Sequence, residues 1–263
     1  MNISFHKYEG AGNDFIILDD RRNRLSLSTA QIARLCDRRF GIGADGLMLL
    51  RDCAGADFRM VYFNADGYES TFCGNGGRCI AHYASHILEI AGPAMDFLAS
   101  DGGHHAEILP DGRVALTMLP VKQIRFFEDH YILDTGSPHY VQLVENVQAL
   151  DVFAEGKRIR HQPEFEPKGI NVNFLQRGTP GNFLRTYERG VENETFACGT
   201  GVTAAAIVLS GQQTGHFEIP VTSKAGHYFK VSYDKKSPGA AENIILTGPV
   251  HLVFEGNVTV PHH

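Results

Sequence analysis

Cys73-Gly74-Asn75-Gly76 and Cys198-Gly199-Thr200-Gly201 stand 125 residues apart, and the reading of this pair decides the architecture. Working outward, Gly12-Asn13-Asp14-Phe15-Ile16-Ile17-Leu18 is echoed by Gly136-Ser137-Pro138-His139-Tyr140-Val141-Gln142 at an offset of 124. Gly41-Ile42 returns as Gly169-Ile170 at 128, and Ser100-x-x-Gly103-His104 as Ser223-x-x-Gly226-His227 at 123. Each match alone is noise. Four in the same order and near one offset mark two homologous halves.

Each half reads as strands around one principal helix. Short β-rich runs bounded by Gly, Asp and Asn are expected as strands at 3–8, 15–19, 47–51, 58–64, 95–98, 105–109 and 113–118. The second half repeats the pattern at 131–134, 140–144, 171–175, 183–188, 217–221, 228–233, 244–247 and 251–254. Pro110-Asp111-Gly112 is a hairpin signal, and Ser28-Thr29-Ala30-Gln31 is a capping box opening an amphipathic helix through Ile32, Leu35 and Cys36. The principal helices are expected at about Gly76–Ile90, stopped by Gly92-Pro93, and at Val202–Ser210. Without a regular βαβ alternation, the fold class is α+β (mixed α/β), with mostly antiparallel sheets. Pro120 marks the expected boundary. Residues 1–119 then form a domain carrying Cys73, with a C-terminal strand at 251–260 free to return onto it, and 120–250 form a domain carrying Cys198.

Composition narrows the function. The chain of 263 residues is 43% hydrophobic and 21% charged, as in ordinary globular proteins. A net charge of −6 argues against a broad electrostatic footprint for nucleic acid or anionic membrane. Arg34, Arg38 and Arg39 read as a solvated helix face. No basic region followed by an apolar core opens the chain and no apolar run reaches a membrane span, so a cytoplasmic location is the expectation. Five cysteines (Cys36, Cys53, Cys73, Cys79, Cys198) argue for reduced thiols, because an odd count fits no disulfide framework. None has zinc-type spacing, and the thirteen histidines form no metal motif, so no metal is expected. Gly41-Ile42-Gly43-Ala44-Asp45-Gly46 matches G-x-G-x-x-G literally, but it follows a helix and precedes a strand, the reverse of the dinucleotide-binding order.

In both halves the cysteine follows an extended run and opens the principal helix. Amides without intrahelical acceptors and the positive end of the helix dipole favour thiolate there. The glycines allow a carboxylate close to the same amides. Two such thiols suit a two-base inversion of a Cα centre, one removing the proton and the other supplying it on the opposite face. Cys36, Cys53 and Cys79 have no counterpart in the repeat and read as structural.

These residues, with Asn64-Ala65-Asp66-Gly67, Gly74-Asn75-Gly76-Gly77-Arg78-Cys79, Gly169-Ile170-Asn171-Val172, Tyr187-Glu188-Arg189-Gly190 and Glu194-Thr195-x-Ala197-Cys198, give a chain that resembles the diaminopimelate epimerases over essentially its whole length. The resemblance implies two similar domains, each a mostly antiparallel sheet wrapped round a central helix, with the active site in the cleft. It implies pyridoxal-independent interconversion of LL- and meso-2,6-diaminopimelate, with no cofactor. Cys73 and Cys198 would be the acid–base pair, and Gly74, Asn75, Gly199 and Thr200 would hold the reacting carboxylate. Asn13, Asn64, Asn171, Glu188 and Arg189 would bind substrate, with His139 and Glu188 tuning the thiols. Ser137 stands where many relatives carry Asn, and Gly46 where some carry a substrate-binding Gln. A homodimer is a further family-level expectation.

Other readings stay open on the residues alone. Proline racemase-like and hydroxyproline epimerase-like enzymes share paired cysteines but typically carry His where this chain has Asn75. PhzF-like isomerases share the fold but lack the paired thiols, so Cys73 and Cys198 argue against them. A racemase of one basic amino acid, a thiol redox protein closing a Cys73–Cys198 disulfide, and a non-catalytic binding protein complete the set.

Overall fold

The computed structural model describes residues 1–178 and 181–260. In chain order the elements are β1 (Asn2–Gly10), β2 (Asn13–Asp19), α1 (Thr29–Cys36), β3 (Gly46–Arg51), β4 (Phe58–Asn64), α2 (Gly74–His86), β5 (Ala94–Ala99), β6 (Gly102–Ile108) and β7 (Val114–Thr117). They continue as β8 (Ile124–Phe126), β9 (His130–Asp134), β10 (Pro138–Leu143), α3 (Val152–Arg160), β11 (Asn171–Gln176), β12 (Asn182–Glu188), β13 (Asn193–Thr195), α4 (Gly199–Leu209), β14 (Gly215–Ser223), β15 (Tyr228–Ser237), β16 (Ala240–Gly248) and β17 (His251–Thr259). The chain divides into two units. One is Met1–Leu116 with the chain from Pro249 onward, and the other is Thr117–Gly248.

The repeat is written into the strand pairing. In the first unit the strands run β17-β1-β2-β3-β4-β5-β6-β7, where only β2–β3 and β4–β5 are parallel. In the second they run β8-β9-β10-β11-β12-β14-β15-β16, with only β10–β11 and β12–β14 parallel. Five antiparallel and two parallel pairings fall in the same places, so a mostly antiparallel sheet around a helix describes both. The edge strand of the first unit is supplied by the far C-terminal β17, which pairs with β1 from Asn2↔Thr259 to Glu9↔His251.

Both sheets are covered on two faces at their middle strands, which is why Phe15–Leu18, Leu47–Leu50 and Val172–Leu175 are buried without alternation. In the first unit α1 packs Ile32 and Leu35 against Ile16, Leu18, Leu47 and Leu49. α2 covers the other face with Cys79, Ile80, Tyr83 and Ala84, against β1, β2, β3 and β6. In the second unit α3 packs Val152 and Ile159 against Tyr140, Val172 and Phe174. α4 is buried all round from Val202 to Val208, apolar except for Thr203, and touches β9, β10, β11, β12, β14, β15 and β16. Burial of each large aliphatic side chain there contributes about 1.5–3 kcal/mol.

Several expectations need correction. α2 begins at Gly74, because Cys73 is already the N-cap, and ends at His86 after Ile87 caps it, so Gly92-Pro93 is not its stop. α4 likewise begins at Gly199. α1 ends at Cys36, so Arg38 and Arg39 lie in the following turn rather than on a helix face. The helix α3 and the short strands β8 and β13 were not legible as segments. α3 has a weak apolar pattern interrupted by Gly156, and its stability rests on packing and on Asp151, whose side chain accepts from the Ala154 amide at 3.0 Å. The repeat is the signal that could have found it, since α3 stands where α1 does. Among the described residues no helix is long and apolar enough to cross a membrane.

Candidate active site

The strand order decides which side chains meet. β2 and β3 start at the same end of the sheet because they are parallel, and the antiparallel β4 ends there, in the register Phe15↔Gly46↔Asn64. The second unit repeats this, with His139↔Asn171 and Val172↔Tyr187 bringing the starts of β10 and β11 to the end of β12. Asn13 and Ser137 enter these ends directly after Gly12 (φ 96°) and Gly136 (φ 101°), a left-handed conformation that strongly favours glycine. Cys73 and Cys198 have nearly the same backbone, at φ −115°, ψ 117° and φ −118°, ψ 111°, and both are helix N-caps without a side-chain capping bond. Cα–Cβ bonds therefore carry both sulfurs to the start of a helix whose first-turn amides have no intrahelical acceptor.

In the first unit a chain of hydrogen bonds runs away from the cysteine. Asn75, 3% exposed, donates Nδ2 to Asn13 Oδ1 at 2.6 Å, and Asn13 donates Nδ2 to Asp45 Oδ2 at 3.0 Å. Arg78, wholly buried at the start of the second turn of α2, donates Nη2 to Asn75 Oδ1 at 2.9 Å and Nη1 to the Gly74 carbonyl at 3.4 Å. Burial pulls its pKa down, opposed by the negative charge available to Cys79 and Cys73. Asp45 also accepts from Arg38 at 2.8 Å, and Arg38 forms a fork on Asp14 at 2.6 and 2.8 Å. Asp14 pairs with Lys7 Nζ at 2.7 Å. Burial would raise the Asp14 carboxyl, but hydrogen bonds from Arg38 and Lys7 outweigh it and lower it to about 2. Asp45 belongs to the glycine-rich run, which lies between α1 and β3 and so orients Asn13 instead of cradling a phosphate. Asn64 ends β4 on a turn, its amide bonded to the Tyr68 carbonyl, and is exposed.

In the second unit Asn171, 3% exposed, donates Nδ2 to Ser137 Oγ at 2.8 Å and accepts the Arg189 amide at 2.9 Å. Arg189 Nη2 reaches Ser137 Oγ at 3.4 Å, so Ser137, Asn171 and Arg189 form one cluster, with Glu188 next in line at the end of β12. Cys198 Sγ lies 3.3 Å from Thr200 Oγ1, and the Thr200 carbonyl accepts from Thr135 at 2.9 Å. His139 is completely buried; burial and the positive charge of Arg189 push its pKa down to about 3. It is therefore neutral at physiological pH.

The sequence reading missed Asp45, Asp14, Lys7 and Arg38 in the first unit and Asn173, Thr186 and Thr135 in the second. Arg38 is exposed, as the sequence suggested, and in addition is bonded to two carboxylates. Cys36 and Cys79 lie in the core of the first unit. Burial raises Cys36 to about 12 and Cys79 higher still, so both are inert. Among the described residues no cluster of three or more His, Cys, Asp or Glu side chains is arranged to hold a metal ion.

This geometry has relatives. The protein from Agrobacterium vitis described as a hydroxyproline epimerase has a TM-score of 0.70 at 15% identity, covering 98% of this chain and 92% of that one. A phenazine biosynthesis protein of the PhzF family from Bacillus anthracis has a TM-score of 0.76 at 16% identity, covering 99% and 100%. At these identities the likeness is one of fold. Sequence is more specific. The diaminopimelate epimerase from Flavobacterium psychrophilum is 43% identical over 97% of this chain and 100% of its own, and that from Chlorobaculum tepidum 42% over 95% and 99%. The sequence profile described as diaminopimelate epimerase matches residues 5–119 and 131–253, spanning both cysteine-bearing repeats. With both halves of the duplication inside that match, this chain belongs to the diaminopimelate epimerase family.

Proposed function

We propose that this chain is a pyridoxal-independent epimerase that interconverts LL- and meso-2,6-diaminopimelate in the cytoplasm, on the route to lysine and peptidoglycan precursors. The observation that carries the reading is the matched pair of N-capping cysteines, Cys73 and Cys198, with near-identical backbone angles. One thiolate takes the Cα proton, and the other thiol gives up its proton to the opposite face of the same carbon. The roles then exchange for the reverse direction. The Cα proton is very weakly acidic, so the charge that develops on the carboxylate has to meet donors already oriented. The first-turn amides at Gly74, Asn75, Gly199 and Thr200 are suited to that task.

Asn13, Asn64, Asn171, Glu188 and Arg189 are assigned to substrate, with the Arg189 guanidinium matched to the distal carboxylate. The bond from the Arg189 amide to Asn171 Oδ1 and the shared contact with Ser137 support a common role for these three. His139 and Glu188 are assigned to the environment of the thiols. The reaction needs no cofactor and no metal, and the partner is the small amino-acid substrate, with neither nucleic acid nor membrane. Assembly as a homodimer is part of the same reading.

The test is incubation of reduced protein with LL-diaminopimelate in D2O without pyridoxal phosphate. Deuterium entering Cα as meso product forms is the expected result, abolished by Cys73→Ala and by Cys198→Ala in folded protein. Exchange on proline or on a single basic amino acid, but not on diaminopimelate, would keep the chemistry and replace the substrate. No exchange on any amino acid, with a reversible Cys73–Cys198 disulfide, would replace the enzyme with a redox protein.

A further inference from the structure

The side chain beneath the Cys198 turn belongs to Asn173, at 0% exposure in the middle of β11. A Cβ added to Gly201 would lie 2.5 Å from Asn173 Oδ1 and 3.5 Å from Cys198 Sγ, so the amide, the helix start and the sulfur are close neighbours. Every polar atom of that amide is engaged. Nδ2 gives one hydrogen to the Tyr140 carbonyl at 3.0 Å, the Asn171 carbonyl being a longer contact at 3.4 Å that leaves the second hydrogen free for a nearer acceptor, and Oδ1 accepts the Thr186 hydroxyl at 2.9 Å. Carbonyls only accept, so the amide can face one way only.

That orientation has a consequence for His139, whose Nδ1 lies 3.0 Å from the same Nδ2. Facing a donor, Nδ1 must accept, and a neutral imidazole with an accepting Nδ1 carries its proton on Nε2. His139 Nε2 is buried and has no hydrogen-bond partner among the described residues. A fully buried N–H left without an acceptor is destabilising, which is a reason for it to have one when the site is filled.

Resting on the epimerase reading above, we propose that Asn173 is a positioning residue: it locks His139 as the Nε2–H tautomer, making it a fixed hydrogen-bond donor to an anion of the reaction rather than a proton carrier. The acceptor is negatively charged oxygen or sulfur, either a substrate carboxylate or the Cys198 thiolate. His139 then stabilises charge without consuming protons that have to pass between the two thiols. Thr186 is the far anchor, since its hydroxyl holds Oδ1 and so keeps Nδ2 turned toward the ring.

The experiment is nitrogen-15 NMR of the imidazole in the full-length protein, which reads the tautomer without any turnover. The expected spectrum has His139 protonated on Nε2 and bare on Nδ1, unchanged from acidic to neutral pH. A ring protonated on Nδ1, or one titrating like an ordinary histidine, overturns the proposal whether or not the protein is an epimerase. Asn173→Asp, which offers Nδ1 an acceptor, is expected to move the proton to Nδ1, with kcat falling about 10- to 100-fold and KM changing less. Asn173→Ala is the second variant, expected to release the tautomer preference. If either variant folds and the Nε2–H form persists, Asn173 is not the lock. Saturating diaminopimelate shifting the Nε2–H signal identifies the substrate as acceptor, and Cys198→Ser shifting it in free protein identifies the thiolate. A signal that moves in neither case overturns the donor role.

Discussion

Asn75 and Asn13, sixty-two positions apart in the chain, are joined by a hydrogen bond of 2.6 Å from Nδ2 to Oδ1. The bond ties the first turn of α2 to the start of β2, and Arg78 holds its far end through Asn75 Oδ1. Two short amides are thus oriented by neighbours that can serve in one direction only, an arginine that donates and an Asp45 carboxylate that accepts.

Asn75→Asp keeps the shape and removes the donor. Two acceptors, the new carboxylate and Asn13 Oδ1, would then face each other in a nearly dry setting. The expected cost is about 1–3 kcal/mol of stability, with a raised KM for diaminopimelate because Asn13 is no longer held. Urea unfolding and steady-state kinetics measure the two effects. A variant as stable and as active as the parent would show that the bond orients nothing.

Thiol reactivity should separate the cysteines into classes. With its pKa raised to about 12, Cys36 has almost no thiolate at neutral pH, and Cys79 has less. Iodoacetamide treatment of native protein followed by mass spectrometry is expected to leave both unmodified while Cys73 is alkylated. Labelling of Cys79 at a rate comparable with Cys73 would show that burial does not silence it.

Asp14 predicts a pH dependence of stability. Its pKa is lowered from 3.8 to about 2 in the fold, with burial opposing and the bonds from Arg38 and Lys7 prevailing. A depressed carboxylate stabilises the native state above its unfolded pKa and loses that contribution as pH falls through the folded value. The loss should therefore occur between about pH 4 and pH 2, and amount to about 1 kcal/mol after solvent screening. Asp14→Asn should flatten the dependence of the urea midpoint in that window, and an unchanged slope would refute the assignment.

Gly156→Ala sets helix propensity against packing. Alanine in the interior of a helix is favoured over glycine by about 1 kcal/mol, so sequence alone expects α3 to gain. In the fold, a Cβ at this position would lie 2.3 Å from Tyr187 Cβ and 2.6 Å from Cγ. Overpacking costs of about 1–3 kcal/mol should reverse the sign, and thermal unfolding against the parent protein decides between them.

The duplication was legible because it lives in local chemistry. Glycines at positive φ, a capping box and a cysteine before a helix each leave a mark on a few adjacent residues, and Gly12 with Gly136 left the same mark twice. The strands came through for the same reason, since Leu47–Leu50 or Val172–Leu175 read as β without knowledge of their neighbours. α3 escaped because its apolar stripe is thin and Gly156 interrupts it, and only contact with Tyr187 explains why glycine is there.

From the amino-acid order alone followed the two halves, the pairing of Cys73 with Cys198 as equivalent positions, and the helix start behind each thiol. Those depend on backbone geometry over a few residues. The tertiary structure alone decided that Asp45 orients Asn13, that Arg38 serves two carboxylates, and that the Asn173 amide meets Nδ1 of His139. Such relations join residues on different strands, so they come into being only when strand order and register bring the partners within about 3 Å.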